Sequence, residues 1–324
     1  MKVVIGALTA LALSICLAKP AAAQSGQSYP TKPVRVLVAF PAGGSADIVA
    51  RIVSQKLAEQ VRQPFVVENR PGAGGNIAFE AAAKADPDGY TIMMSTPGVV
   101  INPSLHKDAR FSPEDFAGVY LIGEAPLLVM VNPNVKAGSL ADFISLAKQR
   151  PGELRYASAG SGSSSHLASE LFKSMAEVKL VHVPYKGGGP AFQDVINGNV
   201  EMTSLPIAES MIYVNSGRVR PLAQTGSRRS SIAPEIPTVA EAGVPGYSVT
   251  TWYVLLAPSR TPADLLARLA KEMDMAVKAP EVQQRLKSAG VDVIGAGPTQ
   301  TAVFMKEEFA KWAKLIKASG AQVE

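Results

Sequence analysis

The chain predicts an α/β fold of two domains, on three observations. Short apolar runs alternate with helical patterns along its length, the signature of layered strands and helices with largely parallel sheets. Three of the strand-to-helix junctions share one plan: an extended apolar run, a loop rich in glycine and serine, then a helix. The chain has 324 residues, or 324 − 23 = 301 without its first 23, near the size at which a single hydrophobic core stops growing.

The first residues read as an address. Met1-Lys2 is a short positive start, Val3–Leu17 is apolar but short for a bilayer span, and Ala21-Ala22-Ala23 offers small residues for cleavage before Gln24. Residues 1–23 are therefore expected to be a cleavable signal peptide, with a periplasmic destination. Cys16 is the chain's one cysteine and would leave with it; the bulky Ile15 before it argues against a lipid anchor. Residues 24–324 then hold no disulfide, no thiol nucleophile and no cysteine metal site. The whole chain carries 32 basic and 27 acidic side chains, so losing Lys2 and Lys19 leaves 30 against 27. That excess of 3 is too small and too scattered to indicate nucleic acid. Arg218, Arg220, Arg228 and Arg229, the densest basic group, read as a solvated loop.

Strand-like runs fall at Val34–Phe40, Phe65–Glu68, Thr91–Ser95, Leu127–Asn132, Leu154–Ala157, Leu180–Val183, Val200–Leu205, Leu222–Thr225 and Trp252–Ala257. The first helix, from about Ile48, is marked by Ile48, Val49, Ile52, Val53, Leu57 and Val61 at helical spacing. Others are expected from about Ser165 and from Pro190. Thr261-Pro262-Ala263-Asp264 predicts a helix start with threonine as cap and proline in first position. A last helix spans about 299–318 and stops before Gly320. Asp86-Pro87-Asp88-Gly89 is a turn into the Thr91 strand.

The repeated loops carry the chemistry. They are Pro41-Ala42-Gly43-Gly44-Ser45-Ala46-Asp47, Ser158-Ala159-Gly160-Ser161-Gly162-Ser163-Ser164, and Tyr185-Lys186-Gly187-Gly188-Gly189. A glycine loop feeding a helix start presents unpaired N–H groups and the positive end of the helix dipole, which suits an anion. Several such loops suggest a cleft built for one. Asp47 reads equally as a helix-start carboxylate or as a group shaping the loop or meeting a ligand donor. Ser161, Ser163 and Ser164 can cap the following helix or donate to a carboxylate. His166 stands at that helix start, as structure or as cleft lining, whereas His182 in an apolar strand reads as structural. His106, His166 and His182 have no metal-ligand spacing, and the elbow, phosphate-loop and complete Gly-x-Gly-x-x-Gly signatures are missing. Binding is favoured over catalysis, with no cofactor and no metal expected. Valine at Gly44 or at Gly162 is expected to block the loops' approach to a ligand.

Several of these stretches together resemble the Bug receptors, the extracytoplasmic solute-binding proteins of tripartite tricarboxylate transporters. They are Tyr29-Pro30 with Lys32-Pro33, Phe40 to Asp47 with Ala50-Arg51, and Val67-Glu68-Asn69-Arg70-Pro71-Gly72-Ala73-Gly74-Gly75-Asn76. Ala85 to Thr91, Tyr156 to Ser158, Gly160 to Ser163 with His166-Leu167, and His182 to Gly187 complete the set. The resemblance covers almost all of residues 24–324, with Ala42 a departure from many relatives. It implies a two-domain periplasmic-binding-protein-like architecture of type II. Two crossing strands near Ala125–Asn132 and Val249–Ala257 would join the domains and leave a ligand cleft between them. Domain one would be 29–125 plus 253–324, and domain two 126–252. By this likeness Phe40, Ala42, Gly43, Gly44, Ser45 and Asp47 would form one lip. Gly160, Ser161, Gly162, Ser163, Ser164 and His166, with Tyr185, Lys186 and Gly187, would form the other, and Ser95-Thr96 the floor. The implied role is a monomeric receptor that captures a small organic carboxylate and delivers it to a membrane transporter. Output to a membrane sensor stays open, and an exported serine hydrolase is a distant alternative for want of an elbow and a placed acid. Dicarboxylate, aromatic acid, amino acid and nicotinate-like ligands all stay open, because backbone groups accept any carboxylate.

Overall fold

A computed structural model describes residues 29–106 and 108–319. The predicted signal peptide and Gly320 lie outside the described residues. The order is β1 (Val34–Val38), α1 (Ser45–Val61), β2 (Phe65–Asn69), α2 (Asn76–Ala83), β3 (Thr91–Ser95), α3 (Gly98–Leu105) and β4 (Phe116–Val131). Next come α4 (Leu140–Gln149), β5 (Arg155–Ser158), α5 (Ser164–Ala176), β6 (Val181–Pro184), α6 (Gly188–Ile196), β7 (Met202–Pro206), α7 (Ile207–Asn215) and β8 (Arg220–Gln224). β9 (Thr250–Pro258), α8 (Ala263–Lys278), α9 (Pro280–Ser288), β10 (Asp292–Ala296) and α10 (Pro298–Ser319) complete the chain.

Local chemistry explains most boundaries. Ser139 and Asp142 close a reciprocal capping box at the start of α4. Helix α8 does not use the predicted cap. Pro262 is its N-cap residue and makes no side-chain bond there, while the buried Thr261 hydroxyl has no partner. Thr261 instead closes a backbone turn, its N–H donating to Pro258 C=O at 3.0 Å. Helix α6 opens two residues before Pro190, because Gly187 at φ 124° turns the chain in a way that favours glycine.

The strands run β2-β1-β3-β9-β4-β7-β5-β6, with β8 and β10 both on β4. Pairing is parallel in β2-β1-β3 and β6-β5-β7. The middle is antiparallel, where β9 pairs β3 and β4 while β4 pairs β7, β8 and β10. The expectation of largely parallel sheets is thus corrected to a mixed arrangement. The physical reason is β4, whose 16 residues serve both halves. From Phe116 to Pro126 it pairs β9, and from Leu127 to Val131 it pairs β7.

Helices cover both faces of the strands. One layer packs α1, α8 and α9 on β1, β3 and β9 through Val53, Leu57, Met94, Leu255, Met273 and Leu286. The opposite face takes Phe79, Val100, Trp252 and Trp312, and the same cluster continues through Leu127 and Val129 to Phe143 and Phe172. Leu128 and Met130, the alternate residues of β4, enter a third cluster with Phe192, Val195 and Ile207. No helix of the described residues is long and apolar enough to cross a membrane.

Candidate functional site

The three predicted loops converge at the ends of β1, β5 and β6. In the first, Gly43 has φ 83° and its N–H donates to Asp47 Oδ2 at 2.9 Å. Asn69 Nδ2 donates to Asp47 Oδ1 at 2.9 Å and to Phe40 C=O at 3.0 Å, and Arg51 Nε donates to Asp47 Oδ2 at 2.9 Å. Burial would raise the Asp47 carboxyl, but the bonds from Arg51, Gly43 and Asn69 outweigh it and hold the group below its ordinary value. Asp47 therefore fastens the loop from inside. Asp47→Ala is expected to strand three donors and to cost about 2–3 kcal/mol in urea unfolding. A loss under about 0.5 kcal/mol would rule that role out.

The second loop is held by its serines. Ser163 Oγ accepts the His166 N–H at 3.3 Å and donates to Gly160 C=O at 2.6 Å, Ser165 Oγ accepts the Ala159 N–H at 2.8 Å, and Ser158 Oγ accepts the Gly160 N–H at 3.2 Å. His166 Nδ1 accepts the Gly162 N–H at 3.2 Å. Its ring stacks on His182 at 4.2 Å between centroids, and His182 stacks on Tyr156 at 4.8 Å. Burial pushes His166 down to about 3 and His182 down to about 4, so both are neutral imidazoles. Ser163 bonds the His166 backbone rather than its ring, so this pair is a helix cap and not a nucleophile with its base.

The halves meet where glycines permit it. A β-carbon added at Gly74 would stand 2.0 Å from Ser161 C=O, one at Gly162 1.9 Å from Asn102 Oδ1, and one at Gly187 2.9 Å from Pro41 Cγ. Between these contacts opens a cavity of ≈ 890 Å³. Four helix starts reach it: Gly44 to Ala46 of α1, Ser163 to Ser165 of α5, Gly188 to Pro190 of α6, and Pro206, Ala208 and Glu209 around the start of α7. Ser164 Oγ donates to Thr251 Oγ1 of β9 at 3.0 Å across it. The rest of its wall is mainly apolar, with Phe40, Ile48, Ile52, Phe192, Leu205 and Ile212.

Of the residues singled out in the sequence, Phe40, Ala42, Gly43, Gly44, Ser45, Thr96, Ser163 and Ser164 line this cavity. The structure places Asp47, Gly160, Ser161, Gly162 and His166 behind the lining, in the bonds and contacts that shape the loops. Ser95 is fully buried and donates to Thr96 C=O. Tyr185 turns to Asp194, Lys186 is exposed, and Gly187 packs on Pro41. Arg51 and Arg70 make ion pairs with Asp47 and Glu68, and Arg51 also lines the cavity.

Glu209 escaped the sequence reading. It sits in the first turn of α7, lines the cavity, and accepts the Ser45 N–H of α1 across the cleft. Burial raises its carboxyl to about 7. The available signal was Leu205-Pro206 ending a strand with an acidic residue three positions on, at a helix start.

The comparisons agree with this fold. The model of the tripartite tricarboxylate transporter family receptor matches residues 49–321. Protein BugT of Bordetella pertussis is 34% identical over 323 residues, covering 98% of each chain. Among solved structures, R. palustris Rpa4515 with adipate is 36% identical with a TM-score of 0.86, covering 90% of this chain and 98% of its own. MatC from Rhodopseudomonas palustris with bound malate is 31% identical with a TM-score of 0.84, covering 89% of this chain and 100% of its own. With sequence and fold in agreement over nearly the whole length, the chain belongs to the tripartite tricarboxylate transporter family of receptors, the Bug proteins.

Proposed function

We propose that this receptor binds a small organic carboxylate in the cavity between the two halves of its sheet and hands it to a membrane transporter. The observation that carries the reading is the convergence of four helix starts, from α1, α5, α6 and α7, on one cavity. Each brings N–H groups that lie before the first intrahelical bond, as Ser164 and Ser165 do ahead of the Leu167 N–H to Ser163 C=O bond. Adipate and malate in the two similar structures are carboxylates, which supports the same class here. In this reading residues 29–125 with 253–324 form one domain, residues 126–252 the other, and the protein works as a periplasmic monomer after loss of residues 1–23. The ligand-facing residues are the eight cavity-lining ones above, and Asp47, Gly160, Ser161, Gly162, His166, Gly187 and Ser95 support them, while Tyr185 and Lys186 do not line the cavity.

Four or five charge-assisted hydrogen bonds at roughly 1.5–3 kcal/mol each leave about 8 kcal/mol after binding costs, or micromolar affinity. The test is thermal unfolding of residues 24–324 with di- and tricarboxylates, aromatic acids, amino acids and the corresponding amides. An acid at about 100 times its dissociation constant is expected to add about 2.7 kcal/mol. Its amide should add nothing. Stabilisation by the amide equal to that by the acid would overturn the carboxylate reading.

A further inference from the structure

We propose that the cavity takes an acid with a single carboxylate and an uncharged, apolar body, and that Glu209 is the residue that turns a second carboxylate away. This rests on the carboxylate-receptor reading and narrows it. Of the four helix starts on the cavity, two contrast most. One is the start of α5, where Ser164 and Ser165 present first-turn N–H groups beside the Ser164 and Thr251 hydroxyls. The other is the start of α1, which the sequence marked as an anion site. There the chain supplies its own carboxyl: Glu209 reaches from α7 and accepts the Ser45 N–H, while Asp47 takes the Gly43 N–H. Ligand oxygens thus find open donors at α5, while at α1 the Gly43 and Ser45 N–H groups are already taken.

No cationic side chain near Glu209 compensates a second negative charge. Among the described residues no lysine or arginine pairs with it. The two arginines on the cavity are turned elsewhere, Arg51 to Asp47 and Arg285 to Gln55. Between the two starts the wall is Ile48, Ile52, Phe192, Leu205 and Ile212, which gains from burying carbon and loses from burying charge. An acid laid from α5 towards α7 therefore puts its far end against apolar side chains and the Glu209 carboxyl. A second carboxylate in that place faces like charge in a partly desolvated site, which weakens its binding.

The test compares pairs that differ in one carboxylate: hexanoate with adipate, and benzoate with terephthalate. Calorimetric titration runs at about pH 8, where a carboxyl titrating near 7 is ionised. The unaltered protein is expected to prefer the monoacid of at least one pair by about tenfold or more. Glu209→Gln keeps the shape and the acceptor for Ser45, and is expected to shift the ratio towards the diacid by about tenfold. Thermal unfolding of the unliganded variant checks that it folds. A diacid that binds the unaltered protein as well as its monoacid, or a ratio that Glu209→Gln leaves in place, overturns the inference and leaves the receptor reading standing. Failure of all four acids to bind either protein overturns the inference, and the wider acid and amide panel then decides the receptor reading.

Discussion

Gly162→Val is expected to weaken carboxylate binding about a hundredfold, although Gly162 does not itself line the cavity. Its φ of 81° is costly for any residue with a β-carbon, at roughly 1–2 kcal/mol. The added carbon would also stand 1.9 Å from Asn102 Oδ1 and 2.9 Å from its Cγ. Asn102 has nowhere to go: it is fully buried, and its Nδ2 donates to Gly74 C=O at 3.1 Å and to Asn76 Oδ1 at 2.6 Å. The α5 loop must therefore lift away from α3, carrying Ser163 and Ser164 out of register with α1. Losing about 3 kcal/mol of the closed contact corresponds to the hundredfold change. Gly44→Ala is the contrast, because Gly44 has φ −75° and its added carbon would meet Pro41 C=O at 3.3 Å. The expectation that valine at either glycine blocks the loops' approach is thus refined to a ranking, with Gly162 far more sensitive. Titration of any acid found to bind settles it, and affinities within threefold of the unaltered protein would defeat the argument.

Acid should destabilise this protein through a specific pair of rings. His166 and His182 are held below their ordinary value mainly by burial; Lys173 adds to the effect at both and Glu170 opposes it at His182. The unfolded chain takes up protons below about pH 6.5, while the folded one resists until about 3 to 4. The stability these rings contribute is present above the unfolded value and is lost as pH falls through that window. For His166 the fall from pH 6.5 to 4.5 is worth about 3 kcal/mol at roughly 1.4 kcal/mol per unit. His182, less buried, adds a smaller amount. Against a total of about 5–15 kcal/mol this is a large fraction. Urea unfolding at about pH 7.5 and 4.5 measures the sum, and imidazole proton resonances assign it. Rings that titrate near 6.5 in the folded protein would refute the account.

The strands were legible because each is a short run of β-branched and aliphatic residues bounded by turns, and every run named in advance lies on a strand. What the runs concealed was direction. Phe116 to Pro126, broken by Gly118, Gly123 and Pro126, gives no continuous apolar signal, yet it is the longer part of β4. Its antiparallel partners β9 and β10 come from far along the chain, so local pattern holds no trace of them. The loops were legible for a related reason: a positive-φ turn needs glycine, and glycine can be seen. Their inner bonds were less so. Asp47 and His166 read equally well as ligand groups or as supports, and only the partners Asn69 and Gly162 place them in the second role. Glu209 carried only the local signal of an acidic residue at a helix start, because its meaning depends on Ser45, 164 residues away.

Strand β4 runs from one half to the other, paired from Phe116 opposite Pro258 to Val131 opposite Met202, with register shifts between Gly118 and Tyr120 and between Leu121 and Gly123. Sliding it by one residue would turn every side chain to the wrong face, so translation of one half along the other is forbidden. What is left is twist near Ala125 to Leu127, where its partner changes from β9 to β7 and β8. In the proposed reading, filling the cavity would thereby be converted into rotation about a single axis, and a membrane protein that touches both halves would read occupancy as an angle.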